Sequence, residues 1–325
     1  MMGLLVLKER LKAFYAKYSP LVNAAARFVV AFAACYMIIK NAGFMPKLNS
    51  PVVALLLGLL CAFLPYGAIA VLTGCFLLVQ LYAASLEIAV ITFAFLLIVV
   101  LLYYGFQPGD SILLVVTPVL FFLKVPFAVS LLVGLAGSLV SVIPMSCGIF
   151  LYYVILYVKQ NSSFLAGSEQ AEMTQVISQV VKSILGNQTM MVMIAACCLG
   201  ALTVHMVKKL SMNYAWAVAI MAGAVIQLVV VFLGDFKFNV SFSVPELMFA
   251  TLVSAAVAAV YHFFVFTVDY SRTEYVQFED DDYYYYVKAV PKIAVSAPEI
   301  KVQKITTRKA VKRPQLKEAE LKKKN

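Results

Sequence analysis

The sequence predicts an all-α polytopic membrane protein with eight transmembrane helices, or ten, a short β-hairpin and a disordered cytoplasmic tail. Of its 325 residues, 63% are hydrophobic and 13% are charged, whereas soluble domains carry about a quarter charged residues. The charges are unevenly placed, because the segment from Asp269 onward holds 13 of the 26 basic and 9 of the 16 acidic residues. The preceding positions therefore contain long uncharged runs, which indicate lipid as their main solvent.

The first twenty residues form a basic segment that we expect on the cytoplasmic membrane surface. Lys8, Arg10, Lys12 and Lys17 precede the first long apolar run, and no small-residue cleavage pattern follows them. Residues 7–17 therefore predict a short amphipathic helix rather than a signal peptide. The first span then acts as an uncleaved anchor.

The apolar runs define the predicted spans, since a crossing helix needs about 20 largely apolar residues. They divide into an N-terminal bundle (21–158) and a C-terminal three-helix bundle (188–268), separated by a polar segment (159–187). The individual runs are residues 21–39, 51–64, 68–84, 88–104, 190–207, 215–234 and 247–268. The stretch 112–158 must cross an odd number of times for both termini to share one side. One crossing plus a re-entrant piece gives eight spans, and three short crossings give ten.

The flanking Lys and Arg residues set the predicted orientation. The N-terminal segment, the pair Lys208 and Lys209, and the tail are all basic, so they are predicted to lie inside. Residues 159–187 and 235–246 carry balanced charges and are predicted to lie outside. Lys40 and Lys47 argue the other way, because this scheme places them outside without an acid beside them.

The polar segment 159–187 contains a predicted amphipathic helix. Its apolar residues follow the i, i+3, i+4, i+7 spacing of one helical face. They are Met173, Val176, Ile177, Val180, Val181, Ile184 and Leu185. We expect this helix on the outer membrane surface or over the mouth of the bundle, where it either only packs or has a gating or partner-binding role.

Lys124 is the sharpest candidate for a functional charge within the membrane. Pro118 and Pro126 flank it, and a helix cannot run smoothly through both prolines. Interrupted backbone at membrane depth is tolerated where protein or a water-filled cavity covers it, and transporters build binding sites there. The alternative is a tight surface turn with Lys124 in the interface. In both cases residues 112–123 are expected not to form one straight spanning helix.

Three further ionisable residues are candidates because charge in the hydrocarbon core is costly. Arg27 lies two turns into the first span and either marks a pathway or snorkels to lipid headgroups. Glu87 is a boundary carboxylate in a tight turn or a buried functional acid. His262 lies deep in the last span, as a packing histidine or as a proton relay.

Other polar and small residues within the spans are expected to join helices. Gln80 and Gln227 are expected to form interhelical hydrogen bonds, and Gly134 and the Ala-rich runs at 195–201 and 254–259 suit close packing. No catalytic residue, cofactor site or metal site is predicted, because no acid pair, His cluster or activated nucleophile is visible. No nucleic-acid motif is present either.

The tail, residues 269–325, changes from acidic to basic along its length. The tract 273–290 predicts a β-hairpin with strands at 274–278 and 283–290. Beyond Pro291 the composition predicts disorder. Such a basic tail can lie on the lipid bilayer, bind a cytoplasmic protein partner, or pair with its own acidic block.

Three segments resemble a family of uncharacterised bacterial polytopic membrane proteins. They are VDYSRTEYVQFEDDDYYYYVKAVPK at 268–292, LKERLKAFYAKY at 7–18 and NYAWAVAIMAGA at 213–224. The resemblance implies a bacterial cytoplasmic membrane and an integral membrane fold. It implies nothing about activity.

Two classes of function follow from the sequence. The first is a transport-type protein, a permease or permease-like subunit of unknown substrate, which would be secondary or energised by another chain because no P-loop is present. The second is a non-enzymatic scaffold or assembly subunit that recruits a cytoplasmic partner or anionic lipid through its tail. A polar mid-membrane cavity near Lys124 would favour transport, and a solid apolar bundle would favour the scaffold.

Overall fold

The computed structural model describes residues 2–106, 108–161, 173–212, 214–238, 240, 242–265, 274–279 and 284–289. In these ranges the chain is almost entirely α-helical, which confirms the predicted all-α class. The chain divides into two compact units. One is Arg10–Val268, and the other combines Met1–Glu9 with Asp269–Asn325.

The described helices follow the predicted apolar runs closely. Numbered in chain order, they are α1 (Met2–Ala42), α2 (Pro51–Cys61), α3 (Tyr66–Tyr82), α4 (Leu86–Phe106), α5 (Ile112–Phe122), α6 (Pro126–Ala136), α7 (Val142–Gln160), α8 (Met173–Leu185), α9 (Gln188–Val207), α10 (Ala215–Phe238) and α11 (Val244–Val265). Two 3₁₀ turns, Pro108–Asp110 and Leu139–Ser141, precede α5 and α7.

Helix length and composition identify an integral membrane protein. Among the described helices α1, α7, α9, α10 and α11 are long and apolar enough to cross a bilayer. The helices α2, α3, α5 and α6 are apolar but shorter, as is the apolar segment Leu86–Leu101 of α4. The amphipathic α8 belongs to neither group.

The predicted surface helix and first span are joined in one long helix, α1. Its backbone leaves helical geometry at Tyr18 (φ −118°, ψ 24°), two residues before Pro20. Proline lacks an amide hydrogen and clashes with the carbonyl four residues earlier, which bends the helix here. The kink separates the basic part of α1 from its apolar part, as the sequence pattern predicts.

The predicted interruption around Lys124 is confirmed, and its cause is local. The chain leaves α5 through a Schellman-type turn in which the Val125 amide donates to the Leu120 carbonyl at 3.0 Å. Lys124 occupies the left-handed region, with φ 61°. Pro126 then begins α6, whereas Pro118 is accommodated inside α5. Only the second proline therefore coincides with the break.

The helices α5, α6 and α7 run alternately between the two ends of the bundle. A hydrogen bond from Ser141 to Asp110 places the starts of α5 and α7 at one end. Lys208 Nζ donates to the Leu135 carbonyl at 2.8 Å, which places the ends of α6 and α9 there too. We call this the Lys208 end. The α5–α6 turn lies at the opposite end, which we call the Lys124 end.

The ends of α1, α3 and α7 also meet at the Lys124 end. Lys159 on α7 donates to Asn41 Oδ1 on α1 at 2.9 Å. Gln80 on α3 accepts a hydrogen bond from the Met45 amide at 3.1 Å, so its partner is the loop after α1 rather than another helix.

The predicted amphipathic helix of the polar segment is present as α8. Val180 and Ile184 on its apolar face are buried in a cluster with residues of α1, α3, α4 and α7. Leu185, at the edge of this face, is 47% exposed. The part of the predicted segment at 162–172 lies outside the described residues.

The C-terminal helices pack closely through small residues, as predicted. A Cβ atom added at Gly134 on α6 would lie 2.5 Å from Val204 Cβ on α9. Gly200 on α9 lies directly against the Gln227 side chain of α10. These glycines allow α6, α9 and α10 to approach one another.

The predicted hairpin is confirmed as two antiparallel strands, β1 (Glu274–Glu279) and β2 (Tyr284–Ala289). Gln277 pairs with Tyr286, and Glu279 pairs with Tyr284. The predicted disordered segment beyond Pro291 lies outside the described residues.

Candidate functional site

Lys124 lies on an exposed turn and forms an ion pair. Its Nζ is 2.6 Å from Glu246 Oε1, in the first turn of α11, with side chains 76% and 51% exposed. The hydrogen bond and the charge of the Glu246 carboxylate raise the pKa of the Lys124 ammonium. This geometry matches the surface-turn alternative for Lys124, and Glu246 is its partner.

Glu87 is half-buried in the first turn of α4, beside the turn that follows α3. Its carboxylate accepts a hydrogen bond from the Ser85 hydroxyl. A negative side chain at this position also complements the positive end of the helix dipole. The structure thus places Glu87 at a helix start, at the Lys124 end.

Arg27 lies on α1 and stacks against the start of α3. Its guanidinium carbon is 5.3 Å from the centre of the Tyr66 ring. Its Nε is buried and finds no hydrogen-bond acceptor within the described part of the chain. A buried donor without an acceptor is costly.

His262 is 9% exposed and stacks on Trp216 of α10. The ring centres are 4.1 Å apart and the planes differ by 10°. The parallel contact joins α10 to α11 at the Lys208 end. It is the geometry expected of a packing histidine.

The four predicted candidates do not come together in one site. Lys124 and His262 mark opposite ends, because Glu246 and His262 are separated on α11 by about 24 Å of helix rise. Arg27 contacts the start of α3, whereas Glu87 follows its end. Within the described ranges, no group of three His, Cys, Asp or Glu residues could hold a metal ion.

A buried polar network joins α6, α9 and α10 near the middle of these helices. Gln227 Nε2 donates to Ser130 Oγ at 2.7 Å, and Ser130 Oγ donates to the Cys197 carbonyl at 2.6 Å. Both Gln227 and Ser130 are fully buried. The predicted helix-joining role of Gln227 is confirmed, but Ser130 is a partner that the sequence analysis missed.

A further feature that the sequence analysis missed is a cavity of about 320 Å³ in the N-terminal bundle. Residues of α1, α3, α4, α5 and α7 line it, and its lining residues Val71, Phe93 and Leu97 are exposed. All its lining residues are apolar except Thr73 and Cys75. The Thr73 hydroxyl donates to the Ile69 carbonyl at 2.9 Å, so it is already satisfied. We call this cavity the apolar slot.

Small residues on one face of α3 make room for the apolar slot. Gly67, Ala70 and Gly74 line it at spacings of three and four residues. A Cβ atom added at Gly74 would meet only Leu96, at an ordinary 3.6 Å. This spacing of small residues was the signal in the sequence, but helix packing produces the same pattern.

Comparison of the chain with protein-family models, with curated proteins and with solved structures finds no match.

Proposed function

We propose that the chain is a transport-type integral membrane protein that acts on an amphipathic, lipid-like molecule without covalent catalysis. The apolar slot is the observation that supports this proposal. Ligand sites are concave, mostly apolar and about 300–1,000 Å³ in volume, and the slot falls within that range.

The dimensions and opening of the slot suit a hydrocarbon chain. Along α3 it extends from Gly67 to Leu78, about 16 Å of helix rise. That length is about half of a ~30 Å hydrocarbon core, or the depth of one leaflet. Because the lining residues Val71, Phe93 and Leu97 are exposed, a chain could enter from the surrounding lipid.

A small hydrophilic substrate fits the described residues less well. Lys124 projects from an exposed turn rather than into a mid-membrane cavity. The buried network of Ser130 and Gln227 is enclosed by packed helices, with Gly200 directly against Gln227. The charged candidates are also dispersed, so they do not form a polar route through the bundle.

We further propose ten crossings, with both termini in the cytoplasm of a bacterium. The alternating directions of α5, α6 and α7 support three short crossings in the 112–158 stretch. Short helices can cross where the bilayer thins or flanking residues snorkel. The Lys/Arg asymmetry supports the orientation, and the resemblance of residues 268–292 to a bacterial family supports the compartment.

Reconstituted vesicles test the transport proposal. A phospholipid carrying a quenchable headgroup fluorophore reports movement between leaflets when an impermeant quencher is added outside. We expect the wild type to expose the inner-leaflet fluorophore faster than protein-free vesicles do. Gly74→Phe, which fills the slot, should remove the acceleration, whereas Val229→Phe on the exposed face of α10 should retain it. Folded wild-type protein that gives no acceleration contradicts the proposal.

A membrane scaffold is the second candidate, favoured by the hairpin of the tail. Tyr284 and Tyr286 lie on one face of β2 and are 69% and 77% exposed. Exposed tyrosines are common in protein interfaces, and an isolated two-stranded hairpin is marginal in water. A pull-down with the wild-type protein tests for a cytoplasmic partner. The Tyr284→Ser/Tyr286→Ser variant is the control.

A further inference from the structure

We infer that Arg27 and Tyr66 form the headgroup site of a bound glycerophospholipid whose acyl chain occupies the apolar slot. This inference rests on the lipid-like occupant in the proposed function, and it adds the chemistry of the polar end. The phosphate is assigned to the Arg27 guanidinium, at the end of the slot marked by Gly67.

The Nε–H of the Arg27 guanidinium needs an acceptor that the described residues do not supply. Its Nε is buried without a hydrogen-bond partner there, and its stabilising neighbour is the face of the Tyr66 ring. A cation–π contact is worth about 0.5–2 kcal/mol, which does not replace the hydrogen bond that a buried N–H donor lacks. A phosphate offers the planar guanidinium two acceptor oxygens at once.

The position of Arg27 matches the end of the slot. Arg27 and Ala34 lie seven residues apart, two turns along one face of α1, and Ala34 lines the slot. The two residues are therefore about 10 Å apart along the helix axis. On α3, Tyr66 immediately precedes Gly67, which also lines the slot.

The level of Arg27 along α1 suits a phosphate group. From Arg27 to the end of α1 at Ala42 the helix rises about 22 Å, less than the ~30 Å core. The α2–α3 turn at 62–65 lies at this same level, since Tyr66 follows it. A turn and a cation at this depth favour local thinning of the bilayer, which brings headgroups to Arg27.

Retention of lipid by the purified full chain tests the assignment. Protein in detergent would be titrated with phosphatidylglycerol or with diacylglycerol, which lacks the phosphate, and bound lipid counted by native mass spectrometry. Arg27→Gln should weaken phosphatidylglycerol binding about tenfold, as expected for a lost charge-assisted hydrogen bond. It should leave diacylglycerol binding unchanged. Gly74→Phe should weaken the binding of both lipids.

The controls separate the headgroup site from charge, folding and transport. Lys237→Gln removes an exposed cation at the Lys124 end and should bind both lipids like the wild type. Tyr66→Leu provides a second variant of the site if Arg27→Gln does not fold. Equal phosphatidylglycerol binding by wild type and Arg27→Gln overturns the headgroup site while leaving the slot intact. Failure of the wild type to retain either lipid overturns the occupied slot itself, whatever the transport assay shows.

Discussion

Lys124 Nζ lies 2.6 Å from Glu246 Oε1 and joins the α5–α6 turn to the first turn of α11. The pair thus links the N-terminal and C-terminal parts of the bundle at one end. Both side chains are well exposed, so the pair is a weak link that solvent and salt screen. The backbone of this turn matters more for stability than its charge does.

We predict that Lys124→Gly is at least as stable as the wild type, whereas Lys124→Ala is less stable. Both variants lose the ion pair, but only glycine adopts φ 61° without a Cβ penalty. Thermal unfolding in detergent measures the difference, and Glu246→Gln, which breaks the pair without touching the turn, is the control. A lower melting temperature for Lys124→Gly than for Lys124→Ala would show that the left-handed conformation does not govern this turn.

Ser130→Ala should destabilise the C-terminal helices by about 1–2 kcal/mol. The substitution leaves Gln227 Nε2 and the Cys197 carbonyl buried without their present partner. Adding Gln227→Met should recover part of the loss, since the buried donor is then removed as well. Chemical unfolding in mixed micelles provides the free energies of this double-mutant cycle. Thr203→Ala is the control, because that exposed hydroxyl bonds only within its own helix. If the free-energy changes of the two single variants add up to that of the double variant, Ser130 and Gln227 are not coupled.

Gly134→Ala should cost about 1–3 kcal/mol of stability. The new methyl group would lie 2.5 Å from Val204 Cβ and 2.9 Å from the Ala201 carbonyl oxygen, so α6 and α9 must separate. Gly74→Ala is the matched substitution inside another helix, and its methyl group meets only Leu96 at 3.6 Å. Gly134→Ala should therefore melt at a lower temperature than Gly74→Ala. Equal stability of both variants would contradict the close approach of α6 to α9.

Cysteine labelling should place α8 outside the cell and the α9–α10 loop inside. Lys182 on α8 and Met212 in the loop are both exposed. On a background without native cysteines, we expect an impermeant maleimide to label Lys182→Cys in intact cells. Met212→Cys should react only after permeabilisation. The reverse pattern would invert the proposed orientation.

Much of the fold could be predicted because the relevant signals are local. Apolar run lengths predicted the helices, Pro126 predicted the end of α5, and the alternation around residues 279–283 predicted the hairpin. These features depend on backbone chemistry and solvent within one segment. The same signals did not decide whether residues 112–158 cross the membrane once or three times.

The candidate site could be predicted only in part, because its contacts join distant segments. Nothing near Lys124 in the sequence indicates Glu246, and nothing near Gln227 indicates Ser130. The apolar slot is a volume left between five helices, so no single helix encodes it. The charge of Arg27 within an apolar span is visible in the sequence, but its neighbour Tyr66 is not.

The occupied slot is the central claim, and a cryo-EM map of the full chain in nanodiscs of phosphatidylglycerol tests it most directly. We predict an elongated density along α3 from Gly67 to Leu78, with a headgroup feature within hydrogen-bonding distance of Arg27. Gly74→Phe should remove that density while leaving the helices in place. An empty slot, or a slot closed by rearranged side chains in the wild type, would contradict the account.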